Sequence, residues 1–397
     1  MSMPTSTPSR NTSTNETDFE RRSLPAPDHQ GLIGFLRRLL SPIAGPFYAK
    51  AVARRNRAFD RGEGVWRAPI PVISVGNLST GGTGKTPMVA WVCKALTALG
   101  YEPLILTRGY KATKDHSGVL VSDEAAELQR LLPSVRVVVN PDRCAALRQV
   151  LSEARGSERP PLVAVMDDGY QHRALGRELD IVLVDATRSP LEDRLLPGGN
   201  LREPLTGLSR AGAVVITRGE VVGEQKARAL DIALRSHAPR AVFAISSARW
   251  SSLRQATGIG GTIEQSSLRG AQALLACGLG NPASIEAMLR EHVGPEGSIE
   301  LFLRPDHDPF TPATVEALLA RAKMVHERAK ASGRRALVVT TEKDWSKLSK
   351  VEAGRWPEGV MVVVPRVEPG FTYGEADLLS AIARACASKG AKPKAGS

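Results

Sequence analysis

Short apolar runs that alternate with helical stretches dominate the sequence from residue 70 onward. Six of them lie before residue 220, at 71–77, 102–109, 135–140, 161–168, 180–186 and 211–219. Near-continuous apolar strands separated by helices are typical of a parallel sheet that is covered on both faces. Five more runs follow, at 241–246, 271–279, 298–304, 335–342 and 360–365. The pattern predicts an α/β fold of two domains, 68–240 and 241–386, with a boundary near residues 235–245.

The length and composition agree with this prediction and exclude several other classes. A chain of 397 residues with 42% hydrophobic and 24% charged residues is an ordinary globular protein with room for two domains. No secretory signal is visible, and no apolar run reaches the roughly 18 residues of a membrane span. Residues 1–28 and 387–397 are poor in apolar side chains and are expected to be disordered. The cysteines form no C-x-x-C pair, which argues against a disulfide framework or a zinc site and fits a reducing compartment: Cys93, Cys144, Cys277 and Cys386.

The net charge of +12 indicates an anionic partner, and half of it lies in one segment near the N-terminus. Residues 31–67 contain eight Arg and Lys residues against two acidic ones, a net +6. The apolar residues of 31–61 fall largely on one side of a helix, which Pro42 and Pro46 are expected to divide into two short helices. Such a basic amphipathic segment indicates either a membrane-surface element or a helix packed on its own domain. Aromatic residues are few and do not interleave with the basic cluster, so nucleic acid is not an expected partner.

A glycine-rich loop, VGNLSTGGTGKTP at residues 75–87, follows the first apolar run and opens a helix. In this context backbone N–H groups cradle phosphates, although an accidental Gly-Lys-Thr in a tight turn is the alternative. Ser79 stands where the pattern G-x-x-x-x-G-K-[ST] has its first glycine. Lys85 would offset phosphate charge, and the Thr86 hydroxyl would ligate Mg²⁺. The predicted nucleotide-binding residues are Ser79, Thr80, Gly81, Gly82, Thr83, Gly84, Lys85 and Thr86.

Two adjacent aspartates, Asp167 and Asp168, end the fourth apolar run in the stretch MDDGYQH. Carboxylates just past a buried strand, beside a phosphate loop, are where Mg²⁺ is held directly or through water. Both are therefore predicted metal ligands, together with Thr86. Capping of the next turn is the alternative role, and Asp185, at the end of IVLVDA, is a rival for the metal.

Seven stretches, taken in order, resemble one family closely. VGNLSTGGTGKTP, LTRGY, DDGYQH, LREP, CGLGNP, PDHDPFT and TTEKDW are similar to motifs of the tetraacyldisaccharide 4′-kinases of the lipid A pathway, between about Arg67 and Trp345. That family also lacks the first glycine of the loop. The resemblance implies two α/β/α domains, the first like a P-loop NTPase, and a membrane-surface helix within 29–67.

The same resemblance implies an activity and a place in the cell. The expected reaction uses ATP and Mg²⁺ to phosphorylate the 4′-hydroxyl of a lipid disaccharide 1-phosphate, which forms lipid IVA. The enzyme is expected to be peripheral, on the cytoplasmic face of the inner membrane, and to contact the membrane through residues 31–61. Each basic residue near an anionic surface would contribute about 1 kcal/mol of attraction.

The resemblance further implies a catalytic pair. The family pairs an Asp in G-D-E-P with a His in D-H, and the matching residues are Asp123 in VSDEAAEL and His307 in RPDHDPFT. With Lys85 they make up the predicted catalytic residues. Asp123 would lie in the first domain and His307 in the second, so that domain closure would assemble the base. The chain departs from the family in reading Ser-Asp-Glu-Ala at 122–125 and in having Ile285 in place of an aromatic residue.

Two other function classes remain open from the residues alone. One is another P-loop enzyme, but the chain lacks the N-K-x-D motif of a GTPase and the extra Lys of a ParA-like ATPase loop. The other is a membrane-surface module whose nucleotide site only regulates attachment. That module would bind ATP without placing phosphate on a lipid.

Overall fold

The computed structural model describes residues 32–109, 113–114, 120–153, 160–258, 260–279, 281–306 and 308–390. The predicted disordered segment 1–28 lies outside the described residues, as do residues 391–397 of the predicted tail. The helices are α1 Leu32–Asp60, α2 Lys85–Ala98, α3 Asp123–Leu131, α4 Arg143–Glu153, α5 Gly219–Val222, α6 Glu224–Arg235, α7 Ala283–Val293, α8 Pro312–Ala331, α9 Glu342–Leu348 and α10 Glu375–Ala387. None of these helices, over the part of the chain that is described, is long and apolar enough to cross a membrane.

Every predicted apolar run forms a strand of one central sheet. The strands are β1 Val72–Asn77, β2 Glu102–Thr107, β3 Thr113–Lys114, β4 Leu120–Val121, β5 Arg136–Val139, β6 Leu162–Asp167, β7 Leu179–Asp185, β8 Ala213–Thr217, β9 Val242–Gln255, β10 Gly261–Ile263, β11 Gln272–Cys277, β12 Ser298–Leu303, β13 Ala336–Val339 and β14 Val360–Tyr373. Their order is β12-β11-β13-β14-β9-β8-β7-β1-β6-β2-β5, with β10 paired to β9 and with β3 and β4 in a separate small sheet. All pairings along this order except β14 with β9 are parallel. The predicted α/β fold with a mostly parallel sheet is confirmed.

A long antiparallel pair joins the two halves of the sheet. Strands β9 and β14 are each 14 residues long, and their register runs from Val363 opposite Gln255 to Tyr373 opposite Ile245. The last helix, α10, then returns to the first half, where Leu378 and Ile382 enter the core cluster that contains Ile73. The proposed domain boundary falls just before β9, and the division into 68–240 and 241–386 remains a prediction.

Helix α1 is continuous, so the prediction of two helices divided by Pro42 and Pro46 was wrong. A proline removes one backbone hydrogen bond and bends a helix, but good helix formers on both sides can carry the helix through. The second half of α1 is also held by the rest of the fold. Val52 is buried, and the Tyr48 hydroxyl donates to the Arg202 carbonyl at 2.8 Å. This half is therefore a helix packed on its own protein.

Candidate active site

The sheet order brings the predicted site residues to one edge. Strand β1 lies between β6 and β7, and all three run parallel. The carboxyl ends of neighbouring parallel strands meet at the same edge of a sheet, where ligands bind in open α/β folds. The glycine-rich loop follows β1, Asp167 ends β6, and Asp185 ends β7. The edge thus collects the loop and both candidate carboxylate positions.

The glycine-rich loop is fixed by contacts on both of its sides. Thr83 is buried; its hydroxyl accepts from Asn77 Nδ2 at 3.1 Å, and its carbonyl accepts from the Thr217 hydroxyl at 3.1 Å. Gly84 has φ 83°, a left-handed conformation that suits glycine, and helix α2 begins at the next residue. Ser79 instead forms a β-bridge with Leu201. Extended backbone of this kind accepts any residue, which explains why the first glycine of the pattern is not needed here.

The remaining loop residues border the open side. Thr80 donates its backbone N–H to the Asn200 carbonyl at 2.8 Å, while Gly81 and Gly82 are exposed. Thr86 is half-buried in the first turn of α2, one residue beyond Lys85. The exposed glycines leave backbone N–H groups accessible at a helix N-terminus, an arrangement that can hold an anion.

Lys85, Asp168 and Arg202 form a charged group at the mouth of this loop. Lys85 Nζ lies 3.7 Å from Asp168 Oδ1, and Arg202 Nη1 donates to both Asp168 oxygens at 2.8 and 2.9 Å. Burial alone would raise the pKa of Asp168, but Lys85 and Arg202 together hold it below its usual value. Asp168 is therefore ionised at neutral pH, and the cations on either side fix its orientation.

The neighbouring Asp167 has the opposite electrostatic behaviour. It is buried, and its Oδ2 accepts from the Thr107 hydroxyl at 3.2 Å. Burial raises its pKa, the charge of Asp168 raises it further, and Lys85 acts against both. A bound cation would favour the ionised form of such a carboxylate. The two aspartates can therefore act as a pair of ligands.

Asp185, the rival metal ligand, is already engaged by protein groups. Its Oδ1 accepts from the backbone and hydroxyl of Thr187 at 2.9 and 2.7 Å, and its Oδ2 accepts from Arg218 Nη1. Arg218 also donates to the Gly82 carbonyl at 2.5 Å. Asn281, from the second half of the chain, donates to the Thr187 hydroxyl at 2.8 Å. Asp185 thus binds Arg218, the residue that holds the glycine-rich loop through the Gly82 carbonyl.

The predicted catalytic pair is only partly described. Asp123 is exposed and is the first residue of α3, which Ser122 caps by accepting from the Ala125 N–H at 3.2 Å. His307 lies outside the described residues. The next residue along α3, Glu124, is half-buried; burial and then the charge of Asp167 raise the pKa of its carboxyl, and Lys85 acts against them. Sequence reasoning missed Glu124, although it is adjacent to Asp123 in the motif.

Two further residues near the aspartates were not assigned a role from the sequence. His172 Nε2 and Arg143 Nε are both buried, and neither has a hydrogen-bond partner among the described residues. Burial and then Arg143 lower the pKa of His172 to about 4. His172 is therefore neutral at physiological pH. His172 lies in the family motif DDGYQH, in which only the aspartates were given a role, and Arg143 lies in NPDR, which showed only polar residues after an apolar run.

Comparison with known proteins decides the family. The family model for tetraacyldisaccharide-1-P 4′-kinase matches residues 36–386. The chain belongs to the tetraacyldisaccharide 4′-kinase family. As a member it is a lipid A 4′-kinase, a phosphotransferase of lipid A biosynthesis.

Individual relatives agree over most of their length. A tetraacyldisaccharide 4′-kinase from Chlorobaculum parvum is 35% identical over 324 residues, which cover 78% of this chain and 84% of the relative. One from Anaeromyxobacter sp. is 36% identical over 362 residues, 88% of this chain and 90% of the relative. The crystal structure of LpxK from Aquifex aeolicus in complex with ATP is 28% identical, with a TM-score of 0.62 over 88% of this chain and 99% of that one.

Proposed function

We propose that the chain transfers the γ-phosphate of ATP to the 4′-hydroxyl of a tetraacyldisaccharide 1-phosphate, which gives lipid IVA. The observation that best supports the site of this reaction is the convergence of Lys85, Asp167 and Asp168 at the mouth of the glycine-rich loop. Residues 79–86 would bind the triphosphate through backbone N–H groups and Lys85. The Aquifex relative was solved in complex with ATP, which supports ATP as the nucleotide in this proposal.

The metal in this proposal is Mg²⁺, held by Thr86, Asp167 and Asp168. Among the residues that the structure describes, no group of three His, Cys, Asp or Glu side chains could hold a metal alone. Two carboxylates and a hydroxyl fit Mg²⁺, which prefers oxygen ligands and usually keeps waters and substrate phosphates as the others. When bound, Mg²⁺ would neutralise charge that develops on the phosphates.

The base in this proposal is the pair Asp123 and His307. The 4′-oxygen forms a bond to the γ-phosphorus as the bond from that phosphorus to the β–γ bridging oxygen breaks. ADP leaves with the electron pair, and the hydroxyl proton passes to the base. Asp123 begins α3, and the charges of Asp167 and Lys85 act on the carboxyl of the next residue, Glu124, which supports a place for Asp123 near this group.

The test is transfer of label from [γ-³²P]ATP to tetraacyldisaccharide 1-phosphate in mixed micelles. We expect His307→Ala and Asp123→Asn each to lower kcat by about 100-fold or more, because base catalysis contributes about that much. Glu124→Gln is the matched comparison at the neighbouring carboxylate, and it should lower kcat by less than Asp123→Asn does. Wild-type turnover in His307→Ala would remove the pair from the mechanism. Hydrolysis of ATP by the wild type without labelled lipid would instead favour a regulatory ATPase.

We propose that α1 also brings the enzyme to its substrate at the cytoplasmic face of the inner membrane. Phe47 on α1 is 73% exposed, and Arg54, Arg55 and Arg57 are exposed on the following turns. An apolar ring beside arginines is suited to the boundary between acyl chains and anionic headgroups. The contact would lie close to the site, since Tyr48 and Asn56 of the same helix contact the segment Arg202–Glu203.

Phe47→Asp tests this membrane contact. We expect the variant to bind vesicles of phosphatidylglycerol and phosphatidylethanolamine about tenfold more weakly, because burial of an aromatic side chain contributes about 1.5–3 kcal/mol. Ile232→Asp on α6 is the control, since Ile232 is 70% exposed but lies on a different helix. Co-sedimentation of the two variants with vesicles measures the difference. Equal binding of Phe47→Asp and wild type would argue against contact through this part of α1.

A further inference from the structure

Two lysines on α9 hold the residues on either side of His307. Lys343 Nζ lies 2.6 Å from Asp306 Oδ1, and Lys347 Nζ donates to the Asp308 carbonyl at 2.6 Å. The lysines are four residues apart, so they project from the same face of α9. Both belong to the stretch TTEKDW and the turn after it, for which the proposed reaction gives no role.

Helix α9 is itself fixed at its N-terminus. The Thr341 hydroxyl caps the helix by accepting from the Asp344 N–H at 3.1 Å. The buried Asp344 accepts from the Gly278 N–H at 2.9 Å and from the Thr341 hydroxyl at 2.8 Å. A Cβ atom at Gly278 would lie 3.0 Å from the Pro305 carbonyl, so the loops after β11 and β12 are in close contact. The lysines therefore extend from a short helix whose position is set by the sheet.

The charge of Lys343 also reaches α3, the helix that begins at Asp123. Helix α9 packs beside α3, on which Glu124 and Glu127 share a face. Burial raises the pKa of both carboxyl groups, that of Glu127 to about 7, and the charge of Lys343 lowers both. The largely buried ammonium group of Lys343 thus pairs with Asp306, the residue before His307, while its charge acts on two carboxyl groups of the helix that begins at Asp123.

We propose that Lys343 is a positioning residue of the kinase reaction, which sets the loop on either side of His307 against the helix that begins at Asp123, with Lys347 fixing the far side of the loop. The proposal rests on the proposed Asp123–His307 pair. Lys343 contacts neither ATP nor the lipid in this proposal. It acts through the placement of the base, so it should affect kcat rather than substrate binding.

The first experiment separates kcat from KM in three variants. Lys343→Met should lower kcat for label transfer by about tenfold and leave the KM for ATP within about twofold, since loss of transition-state positioning appears in kcat. Lys343→Arg retains the charge and should recover most of the lost kcat. Lys350→Met is the control, because Lys350 is exposed just beyond the same helix. A normal kcat in Lys343→Met, or a failure of Lys343→Arg to exceed it, would overturn the proposal.

The second experiment is a double-mutant cycle with His307→Ala. If Lys343 acts through His307, Lys343→Met should change the residual kcat of His307→Ala by less than about twofold. If the double variant instead lost kcat by the product of the two single effects, the positioning role would be overturned.

The cycle also separates this proposal from the proposed function. Full activity in His307→Ala alone rejects the catalytic pair, whereas inactivity of His307→Ala with a normal Lys343→Met rejects only the positioning role. Thermal unfolding and ATP binding of each variant exclude a loss of fold as the cause.

Discussion

Lys85→Met is expected to lower kcat for label transfer to the lipid by about 1,000-fold, as removal of a preorganised charge from a phosphoryl-transfer site does. Lys85 is the first residue of α2, directly after the left-handed Gly84, and its ammonium group lies 3.7 Å from Asp168. Methionine keeps the length and the helix propensity of lysine. The loss should therefore report the missing positive charge. The measurement is single-turnover transfer from [γ-³²P]ATP, together with thermal unfolding.

The matched control for this change is Lys94→Met on the same helix. Lys94 forms a surface ion pair with Glu368 at 2.5 Å, and exposed pairs of this kind contribute about 0–1 kcal/mol to stability. Its replacement should leave kcat unchanged. The unfolding temperature of each variant shows whether the substitution itself has damaged the fold of α2. If Lys85→Met transferred phosphate at a rate near that of the wild type, the glycine-rich loop would not be the site that binds the γ-phosphate.

Most of the sheet could be predicted from the sequence, because buried parallel strands are continuous apolar runs. The pairing of β9 with β14 could not. The second half of β9, residues 247–255, reads SARWSSLRQ, in which only three of nine residues are apolar and no two of them are adjacent, so it lacks the continuous apolar run of the other strands. Its strand conformation depends on an antiparallel partner more than 100 residues away, from Val363 to Gly370. The return of α10 to the first half is likewise a tertiary contact without a local signal.

The residues of the candidate site likewise include some that could be predicted from the sequence and some that could not. The loop and the aspartates at the ends of β1 and β6 could be predicted together, because residues at the carboxyl ends of adjacent strands must lie close. Arg202 could not be assigned, since it lies 34 residues after Asp168, with strand β7 and a long irregular segment between them. The role of Asp185 was ambiguous for the same reason. Its partner Arg218 follows the next strand, and only the folded sheet brings the two together.

Asp168→Asn is expected to lower kcat by about 100-fold, comparable to the loss of one preorganised catalytic group, and to raise the Mg²⁺ concentration needed for half-maximal rate. Asp168 has φ 48°, a left-handed conformation that asparagine adopts more readily than most residues, so the backbone should be retained. The substitution removes the negative charge that pairs with both Lys85 and Arg202. Titration of the transfer rate with Mg²⁺ measures both effects.

Asp185→Asn provides the comparison that separates the two candidate metal positions. Asp185 also ends a central strand, but its oxygens are engaged by Thr187 and Arg218. Its loss should free Arg218 from the position in which it holds the Gly82 carbonyl. The expected result is a higher KM for ATP with an unchanged Mg²⁺ dependence, because a loosened loop binds the triphosphate less well. If the Mg²⁺ dependence instead shifted in Asp185→Asn and not in Asp168→Asn, the metal would belong to the end of β7, and Asp168 would serve only to orient Lys85 and Arg202.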